Sequence, residues 1–343
     1  MTALMELQNV TKVFTRGMLH KSATIALEDI SLSIEEARAG ADFGSIITVA
    51  GESGSGKTTL GLLLLGFLAP TRGRVLYKGK DLQKLSRKER LEFRREVQAI
   101  FQDPFAVYNP FYKVDHILSV PIAKFHLAKS KTEAYTLIEQ ALLGVGLRPE
   151  ETLGRYPHQL SGGQRQRVVV ARALLLKPKL IIADEPVSMV DASLRAIILE
   201  SLYKLNRDFG ISILYITHDL TTAYHISHYI VVLYQGSVME AGSVDQIIKE
   251  PRHPYTQLLI DSIPWPDLKR RWGQTQTIIR EDVSTETNRG CKFANRCSYA
   301  MDQCRKIPPP LFQTESQRAV ACYLYEGSPS IAKEELSKLF SRK

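Results

Sequence analysis

A glycine-rich loop between an apolar segment and a helical segment is the feature that most constrains the fold of this chain. Residues 45–50 are apolar and rich in β-branched side chains, which predicts a short buried strand. Residues 51–56 interrupt this pattern, and residues 58–67 favour a helix. Loops that bind phosphate groups occur in this strand, loop and helix order. The sequence therefore predicts a phosphate-binding loop at the edge of a sheet.

The residue types in this loop fit the same chemistry. Glycines allow backbone N–H groups to turn inward around phosphates, assisted by the positive end of the following helix. The Lys57 ammonium would neutralise the β- and γ-phosphates, and the Thr58 hydroxyl would hold Mg²⁺. The alternative is a glycine-rich turn that binds no ligand. The predicted nucleotide-binding residues of the loop are Gly51, Ser53, Gly54, Ser55, Gly56, Lys57, Thr58 and Thr59.

Apolar segments alternate with helical segments after residue 165. This alternation implies a mainly parallel sheet that is covered by helices on both faces. The expected strands are residues 180–183, 212–216 and 230–233, and the expected helices are residues 166–176, 194–206 and 221–226.

Two other parts of the chain lack this rhythm. Residues 104–165 contain several prolines and one clear helical segment, residues 131–143, which predicts an inserted helical subdomain. Residues 264–343 begin with a Pro-Trp-Pro break and contain three consecutive prolines, which predicts a small C-terminal extension. The expected domains are therefore residues 1–263, with the helical subdomain at about 104–165, and residues 264–343.

Polar side chains follow three of the expected strands. Ligands of parallel sheets bind at the C-terminal ends of the strands, where Asp184 and Glu185 are expected to lie. Glu185 would polarise the attacking water as a general base, and His218 would contact the γ-phosphate. Gln102 would reach Mg²⁺ or the water from the start of the helical subdomain. Thr58, Gln102 and Asp184 would together hold Mg²⁺, partly through water.

Charge and hydropathy restrict the class of protein. The net charge of +9 favours anionic partners such as nucleotides, lipid head groups or nucleic acid, although a solvated basic surface has the same composition. The first residues lack a signal-peptide pattern. The longest apolar run, residues 60–69, is shorter than the roughly 20 residues that span a bilayer. We therefore expect a soluble, cytoplasmic chain.

The five residues at 160–164 read Leu-Ser-Gly-Gly-Gln and lie between the phosphate loop and the acidic pair. Together with the other motifs, this order resembles the motif set of the ATP-binding-cassette (ABC) ATPases. The resemblance implies an α/β P-loop fold with a mainly parallel core sheet. It also implies an antiparallel β subdomain and a helical subdomain that carries the run at 160–164, which we call the signature run.

The same resemblance implies an active site shared between two ATPase domains that face each other head to tail. ATP held by the phosphate loop of one domain would be contacted in trans by the signature run of the other. Phe14 would stack on the adenine ring. The residues implied to act in trans are Ser161, Gly162, Gly163, Gln164 and Asp191.

A narrower resemblance covers nearly the whole chain. The runs QDP at residues 102–104, RYPH at residues 155–158 and HPYT at residues 253–256 are similar to those of the oligopeptide/dipeptide importer ATPases. This implies ATP hydrolysis coupled to peptide uptake by a peripheral subunit at the cytoplasmic face of the cell membrane. The implied partners are a second ABC ATPase subunit, two integral-membrane permeases and, indirectly, an extracellular solute-binding protein, with no nucleic acid.

Three alternatives remain at this point. Some relatives of this importer class carry oligosaccharides or nickel complexes instead of peptides. A soluble ABC ATPase that acts on nucleic acid would use the basic charge, but such proteins usually have two cassettes or a long coiled coil. A non-hydrolysing partner subunit is opposed by the presence of Glu185, His218 and Ser161.

All four cysteines lie within the C-terminal extension, with the spacing C-x5-C-x6-C-x17-C. Clustered thiols in a chain that otherwise lacks cysteine suggest one site for Zn²⁺ or an iron–sulfur cluster. Some dipeptide-importer ATPases carry a [4Fe–4S] cluster in this extension, so the resemblance implies such a structural cluster, with Zn²⁺ as the alternative. Reduced thiols in a small core are the remaining possibility. The expected ligands are Cys291, Cys297, Cys304 and Cys322.

Overall fold

The structure is a computed structural model that describes residues 3–16, 22–36, 44–103, 107–188, 190, 192–263 and 290–340. The chain divides into two compact units. The first unit comprises Met1–Leu4, Glu35–Ile46 and Leu82–Ile216. The second unit comprises Met5–Ile34, Ile47–Asp81 and Thr217–Lys343.

The strands and helices are numbered in chain order. The strands are β1 (Met5–Arg16), β2 (Ser22–Ile34), β3 (Ile46–Ala50), β4 (Arg72–Tyr77), β5 (Lys80–Asp81), β6 (Val97–Ile100), β7 (Leu180–Asp184), β8 (Ser212–Thr217), β9 (Tyr229–Tyr234), β10 (Ser237–Ser243), β11 (Leu311–Glu315), β12 (Arg318–Val320) and β13 (Ser330–Ile331). The helices are α1 (Lys57–Leu64), α2 (Arg87–Glu96), α3 (Asp115–Phe125), α4 (Lys131–Gly144), α5 (Pro149–Thr152), α6 (Gly162–Leu174), α7 (Ala192–Phe209), α8 (Leu220–Ile226), α9 (Val244–Lys249), α10 (Pro254–Asp261) and α11 (Asp302–Lys306).

The first unit contains a small parallel sheet. Strand β7 pairs in parallel with β6 and with β8, so that Ala183 lies opposite Ile100 and Asp184 lies opposite Ile216. All five residues of β7 are buried, as expected for a parallel strand that is covered on both faces. Because β6 and β7 run in the same direction, the residues that follow them meet at one edge of this sheet.

Helices occupy the described part of the first unit between β6 and β7. Helices α3 and α4 pack against α6, which places the signature run at the start of a braced helix. The described part of the segment predicted as a helical subdomain, residues 107–165, contains helices and no strand. Helix α6 begins at Gly162, four residues before the predicted start, because the Ser161 side chain caps its first turn.

The second unit contains two sheets. In one sheet β3 pairs in parallel with β9, and the antiparallel strands β10, β12, β11 and β13 extend it in that order. A tight turn at Gln235 and Gly236 joins β9 to β10, and both residues have positive φ, of +44° and +78°. A two-residue turn with positive φ at both positions has a twist that matches the twist of the flanking strands in a β-hairpin. The other sheet is antiparallel, with the order β2-β1-β4-β5.

The described part of the C-terminal extension, residues 290–340, belongs to the second unit. Its strand β12 pairs with β10, with Val320 opposite Glu240 and Ala319 opposite Ala241. The sequence pattern did not indicate the strands of this extension, because they are short and include polar residues. The domain boundary at residue 263 stays a prediction.

The four predicted strands correspond to β3, β7, β8 and β9, so the mixed α/β fold is confirmed. The helix predicted for residues 58–67 ends earlier, at Leu64. Gly66, two residues later, adopts a left-handed φ of +69°, as is common just after the end of a helix. Among the described residues, no helix is both long enough and apolar enough to cross a membrane.

Packing of the parallel sheet gives a first prediction. Leu214 of β8 is fully buried, whereas Ile197 of α7 has 41% of its surface exposed. Leu214→Ala should cost about 2–5 kcal/mol through lost burial and a residual cavity. Ile197→Ala, the matched control, should stay within about 0.5 kcal/mol of the wild type. Thermal unfolding of both variants checks this, and equal midpoints would contradict the assignment of Leu214 to the core.

Candidate nucleotide-binding site

The phosphate loop of the second unit has backbone geometry that only glycine fits at two positions. Gly51 has a φ of +152°, and a Cβ atom there would lie 2.2 Å from the carbonyl oxygen of Leu233. Gly56 has a φ of +102°, and a Cβ atom there would lie 2.3 Å from the carbonyl oxygen of Ala26. The loop is therefore seated closely between β9 and β2.

Helix α1 presents its N-terminus to this loop. Gly56 is its N-cap and offers no side-chain hydrogen bond, so no side chain of the cap occupies the first-turn amides. Such amides and the helix dipole favour an anion. Ser53, Gly54 and Thr58 are exposed, Thr59 is half-buried and Ser55 is buried. The exposed side of the loop thus contains the predicted Mg²⁺ ligand Thr58.

Lys57 is buried within the loop. Its Nζ donates to the carbonyl oxygens of Gly51 at 2.7 Å and Glu52 at 2.8 Å. The ammonium is therefore held beside the positive end of α1, where a phosphate group would interact with both charges. This position fits the predicted role of Lys57.

Phe14, the predicted adenine platform, lies on the same unit. Its ring is 40% exposed on β1, and Phe14 pairs with Thr24 of β2. Two residues further along β2, the carbonyl of Ala26 contacts Gly56 of the phosphate loop. Lys12 Nζ lies 5.1 Å from the centroid of the Phe14 ring. An accessible aromatic face therefore lies near the loop, as stacking on a base requires.

The acidic pair of the first unit is held at the end of β7. Asp184 is buried and is the last residue of the strand. Glu185 has a left-handed φ of +46°, which is unfavourable for a non-glycine residue by about 1–3 kcal/mol. Its N–H donates to the Ile216 carbonyl at 2.9 Å, and its carbonyl accepts from Ser188 Oγ at 3.0 Å. Backbone strain of this kind is common where a side chain is positioned for function.

Gln102 and His218 follow two further strands. Gln102 is exposed beyond β6, the neighbour of β7, so it lies at the same sheet edge as Asp184. The preceding carbonyl, that of Phe101, accepts from Gln166 Nε2 at 3.4 Å, which connects this edge to helix α6. His218 is exposed directly after β8 and is assigned to the second unit. The predicted residue Asp191 lies outside the described residues.

The signature run forms the capped start of α6. Ser161 Oγ accepts from the Gln164 N–H at 3.2 Å, and the Ser161 N–H donates to Gln164 Oε1 at 2.9 Å. This reciprocal pair is a capping box. Gly163 packs against Leu194 of α7, whereas a Cβ atom on Gly162 would meet no atom within 4 Å. Ser161 and Gly162 therefore form an accessible helix N-terminus.

The four cysteines line one apolar pocket in the second unit, together with His253, Phe293 and Tyr323. All four are free thiols, and Cys291 and Cys304 are buried. Burial raises the pKa of the Cys291 and Cys322 thiols to about 11, and neighbouring thiols contribute to the rise. Burial also raises the pKa of Cys297. The four thiols, for which the spacing predicted one metal site, therefore lie around a single pocket.

A metal site is not formed by these positions as they stand. In the parts of the chain that the structure describes, no group of three or more His, Cys, Asp or Glu side chains is arranged to hold a metal ion. The predicted metal-binding character of the extension is thus not shown by the placement of the side chains.

Two residues that contact the phosphate loop were not assigned to the site from the sequence. Tyr255 accepts a hydrogen bond from the Glu52 N–H at 2.9 Å, and Arg296 forms an ion pair with the Glu52 carboxylate at 2.9 Å. The run HPYT at residues 253–256 was a signal for Tyr255, but only through its resemblance to a family. The sequence contained no signal for Arg296 because the contact joins residues 244 positions apart.

Comparison with known proteins connects these observations. The ABC transporter family matches residues 27–188, and the family of the oligopeptide/dipeptide transporter C-terminal region matches residues 239–304. The oligopeptide transport ATP-binding protein AppF of Bacillus subtilis is 35% identical over 94% of this chain and 97% of that protein. The oligopeptide transport ATP-binding protein OppF of Escherichia coli is 38% identical over 81% of this chain and 84% of that protein.

Solved structures agree with the sequence comparison. The dimeric post-hydrolysis state of the ATP-binding cassette MJ0796, bound to ADP and Pi, is similar with a TM-score of 0.61 and 30% identity. The match covers 70% of this chain and 98% of that one. The fold and the site therefore define an ABC-type ATPase. More narrowly, the chain belongs to the ATP-binding proteins of the oligopeptide/dipeptide transporter family.

Proposed function

We propose that this chain is the ATP-hydrolysing subunit of an importer that carries oligopeptides or dipeptides across the cell membrane. The observation that carries the proposal is the uncapped N-terminus of α1, beside which the buried Lys57 ammonium is held within the phosphate loop. The match of residues 239–304 to the transporter C-terminal region supports the substrate class.

In the proposed mechanism, the amides of residues 51–58 and Lys57 bind the β- and γ-phosphates of ATP. Thr58, Gln102 and Asp184 would hold Mg²⁺, partly through water, and Glu185 would accept a proton from the attacking water. His218 contacts the γ-phosphate and orients the water. Phe14 stacks on adenine, which supplies binding energy without affecting the chemistry.

A partner ATPase subunit completes each site. The exposed Ser161 and the half-buried Gly162, with the N-terminus of α6, form a second anion-binding surface suited to the γ-phosphate of ATP held by the partner. Gly163, Gln164 and Asp191 act in the same contact. ATP binding would then close the dimer, and closure would move two permeases at the cytoplasmic face of the membrane. An extracellular solute-binding protein delivers the solute.

Reconstitution with the permeases, the partner ATPase and the solute-binding protein tests this proposal. Peptides should stimulate phosphate release several-fold above the basal rate, because closure of the dimer is coupled to delivery of the solute. The same assay should be run with oligosaccharides and nickel chelates. Stimulation by one of these solutes and not by peptides would overturn the assigned substrate class.

Glu185→Gln is the catalytic control for this assay. The amide keeps the shape of the side chain but cannot accept the proton, so hydrolysis should fall by roughly 100-fold or more. ATP binding should remain, and an ATP-bound dimer should accumulate on size-exclusion chromatography. A variant with wild-type turnover would show that Glu185 is not the base.

A pair of capping serines separates structural from functional roles. Ser161 and Ser243 both cap a helix through a capping box with a glutamine three residues later. Ser→Ala should cost about 1 kcal/mol of local helix stability at either site. Only Ser161→Ala should also lower ATP turnover, by roughly tenfold or more, because it removes a donor to phosphate. Equal turnover in the two variants would contradict the role of Ser161.

We also propose that Cys291, Cys297, Cys304 and Cys322 hold a structural [4Fe–4S] cluster, with Zn²⁺ as the alternative. Four thiols around one pocket are the donor set that either group requires. When bound, the group would cross-link the extension and would favour the thiolates over the protonated thiols.

Metal analysis after anaerobic purification tests the cysteine proposal. We expect brown protein with about four irons per chain, because a [4Fe–4S] cluster contains four iron atoms. A colourless protein with about one zinc per chain would support the alternative. Cys291→Ser should lower the metal content, and Ser316→Ala, an exposed serine of the same extension, should not. Metal-free wild-type protein would refute both assignments.

A further inference from the structure

A two-point ion pair links the loop that carries the first cysteines to the phosphate loop. Arg296 Nη1 donates to Glu52 Oε2 at 2.9 Å, and Nη2 donates to Oε1 at 3.0 Å. Glu52 is the second residue of the phosphate loop, and Arg296 precedes Cys297. A bidentate pair of this kind fixes orientation as well as distance.

The guanidinium is positioned by its own surroundings before it reaches Glu52. It lies 5.5 Å from the ring centroid of Phe293 and 5.7 Å from that of Tyr234. Nη1 also donates to the Tyr234 hydroxyl at 3.3 Å. The two rings pack edge to face with their centroids 5.4 Å apart. Arg296 therefore loses little conformational freedom when it binds Glu52.

Glu52 in turn uses all of its polar groups. Its N–H donates to the hydroxyl of Tyr255, a buried residue whose ring lies 4.5 Å from Tyr234. Its carbonyl accepts from Lys57 Nζ at 2.8 Å, and its carboxylate binds Arg296. A displacement of Glu52 would therefore displace the carbonyl that holds Lys57.

We propose that Arg296 is a positioning residue for ATP binding. It holds Glu52 so that Lys57 and the loop amides keep the geometry that receives the phosphates. Arg296 does not contact the nucleotide in this assignment, and it acts through Glu52 alone. The inference rests on the proposed nucleotide function. It adds that the cysteine-bearing extension adjusts the affinity of the chain for ATP by a few-fold.

Fluorescence titration of the full chain with mant-ATP, together with ATPase kinetics of the chain reconstituted with its partner ATPase and permeases, tests the inference. Arg296→Gln and Glu52→Gln should each raise the Kd for mant-ATP by roughly two- to fivefold, which is the range expected for one partly exposed ion pair. The kcat of Arg296→Gln at saturating ATP should stay at the wild-type value, because Arg296 lies outside the phosphate loop and acts only through Glu52. Arg296→Lys, which keeps the charge but not the fork, should give an intermediate Kd.

Arg305→Gln is the matched control. Arg305 is an exposed arginine of the same extension, and its Nη1 donates to Asn295 Oδ1 at 3.4 Å. Its substitution removes the same charge and should leave the Kd unchanged. The Kd of the double variant Arg296→Gln/Glu52→Gln for mant-ATP should not exceed the higher of the two single-variant Kd values, because both substitutions break the same interaction.

If the wild-type protein binds ATP, three results would overturn the inference. These are an unchanged Kd in Arg296→Gln, additive losses in the double variant, or a fall in kcat with an unchanged Kd. If thermal melting shows that Arg296→Gln is unfolded, the Kd values of Glu52→Gln and Arg296→Lys test the inference by the same criteria. Wild-type protein that binds no ATP would contradict the proposed function itself.

Discussion

The rest of the nucleotide site depends on the close seating of the phosphate loop between two strands. The carbonyl oxygens of Leu233 and Ala26 occupy the space that a side chain at Gly51 or Gly56 would need. This contact fixes the start of α1, and the helix start fixes the amides and Lys57 that face a phosphate. Backbone packing, rather than a network of side chains, therefore determines where the anion site lies. The polar residues act on a site whose position is already set.

The signature serine shows how one side chain can serve both its own helix and a partner. In its capping box, Ser161 Oγ accepts a hydrogen bond from Gln164. A serine hydroxyl also carries one proton that it can donate. Capping therefore leaves Ser161 able to donate to a phosphate oxygen, and the open space at Gly162 leaves room for that oxygen to approach. A helix start that is fully capped can still serve as half of a shared active site.

Sequence reasoning found the parts of the fold that local pattern controls. The buried strands β3, β7, β8 and β9 are short apolar runs, which makes them visible to hydropathy alone. Strand β6 was missed because its four residues include the polar Gln98. Strand β12 was missed because its pairing with β10 joins segments about 80 residues apart. The cysteine spacing predicted a metal site, which the described side chains do not show, and long-range contacts such as that of Arg296 have no local signature.

The strength of the Arg296–Glu52 pair limits what the extension can do. Both side chains are about one-third exposed, at 33% and 38%, so the pair contributes about 0.2–1 kcal/mol. A second ion pair from the same loop joins Lys292 Nζ to Glu28 Oε2 of β2 at 2.5 Å. This ion pair remains when the Arg296–Glu52 pair is broken. A change in the cysteine loop would therefore alter the position of Glu52 without releasing the extension. Coupling of this size adjusts ATP affinity by a few-fold and cannot switch the ATPase on or off.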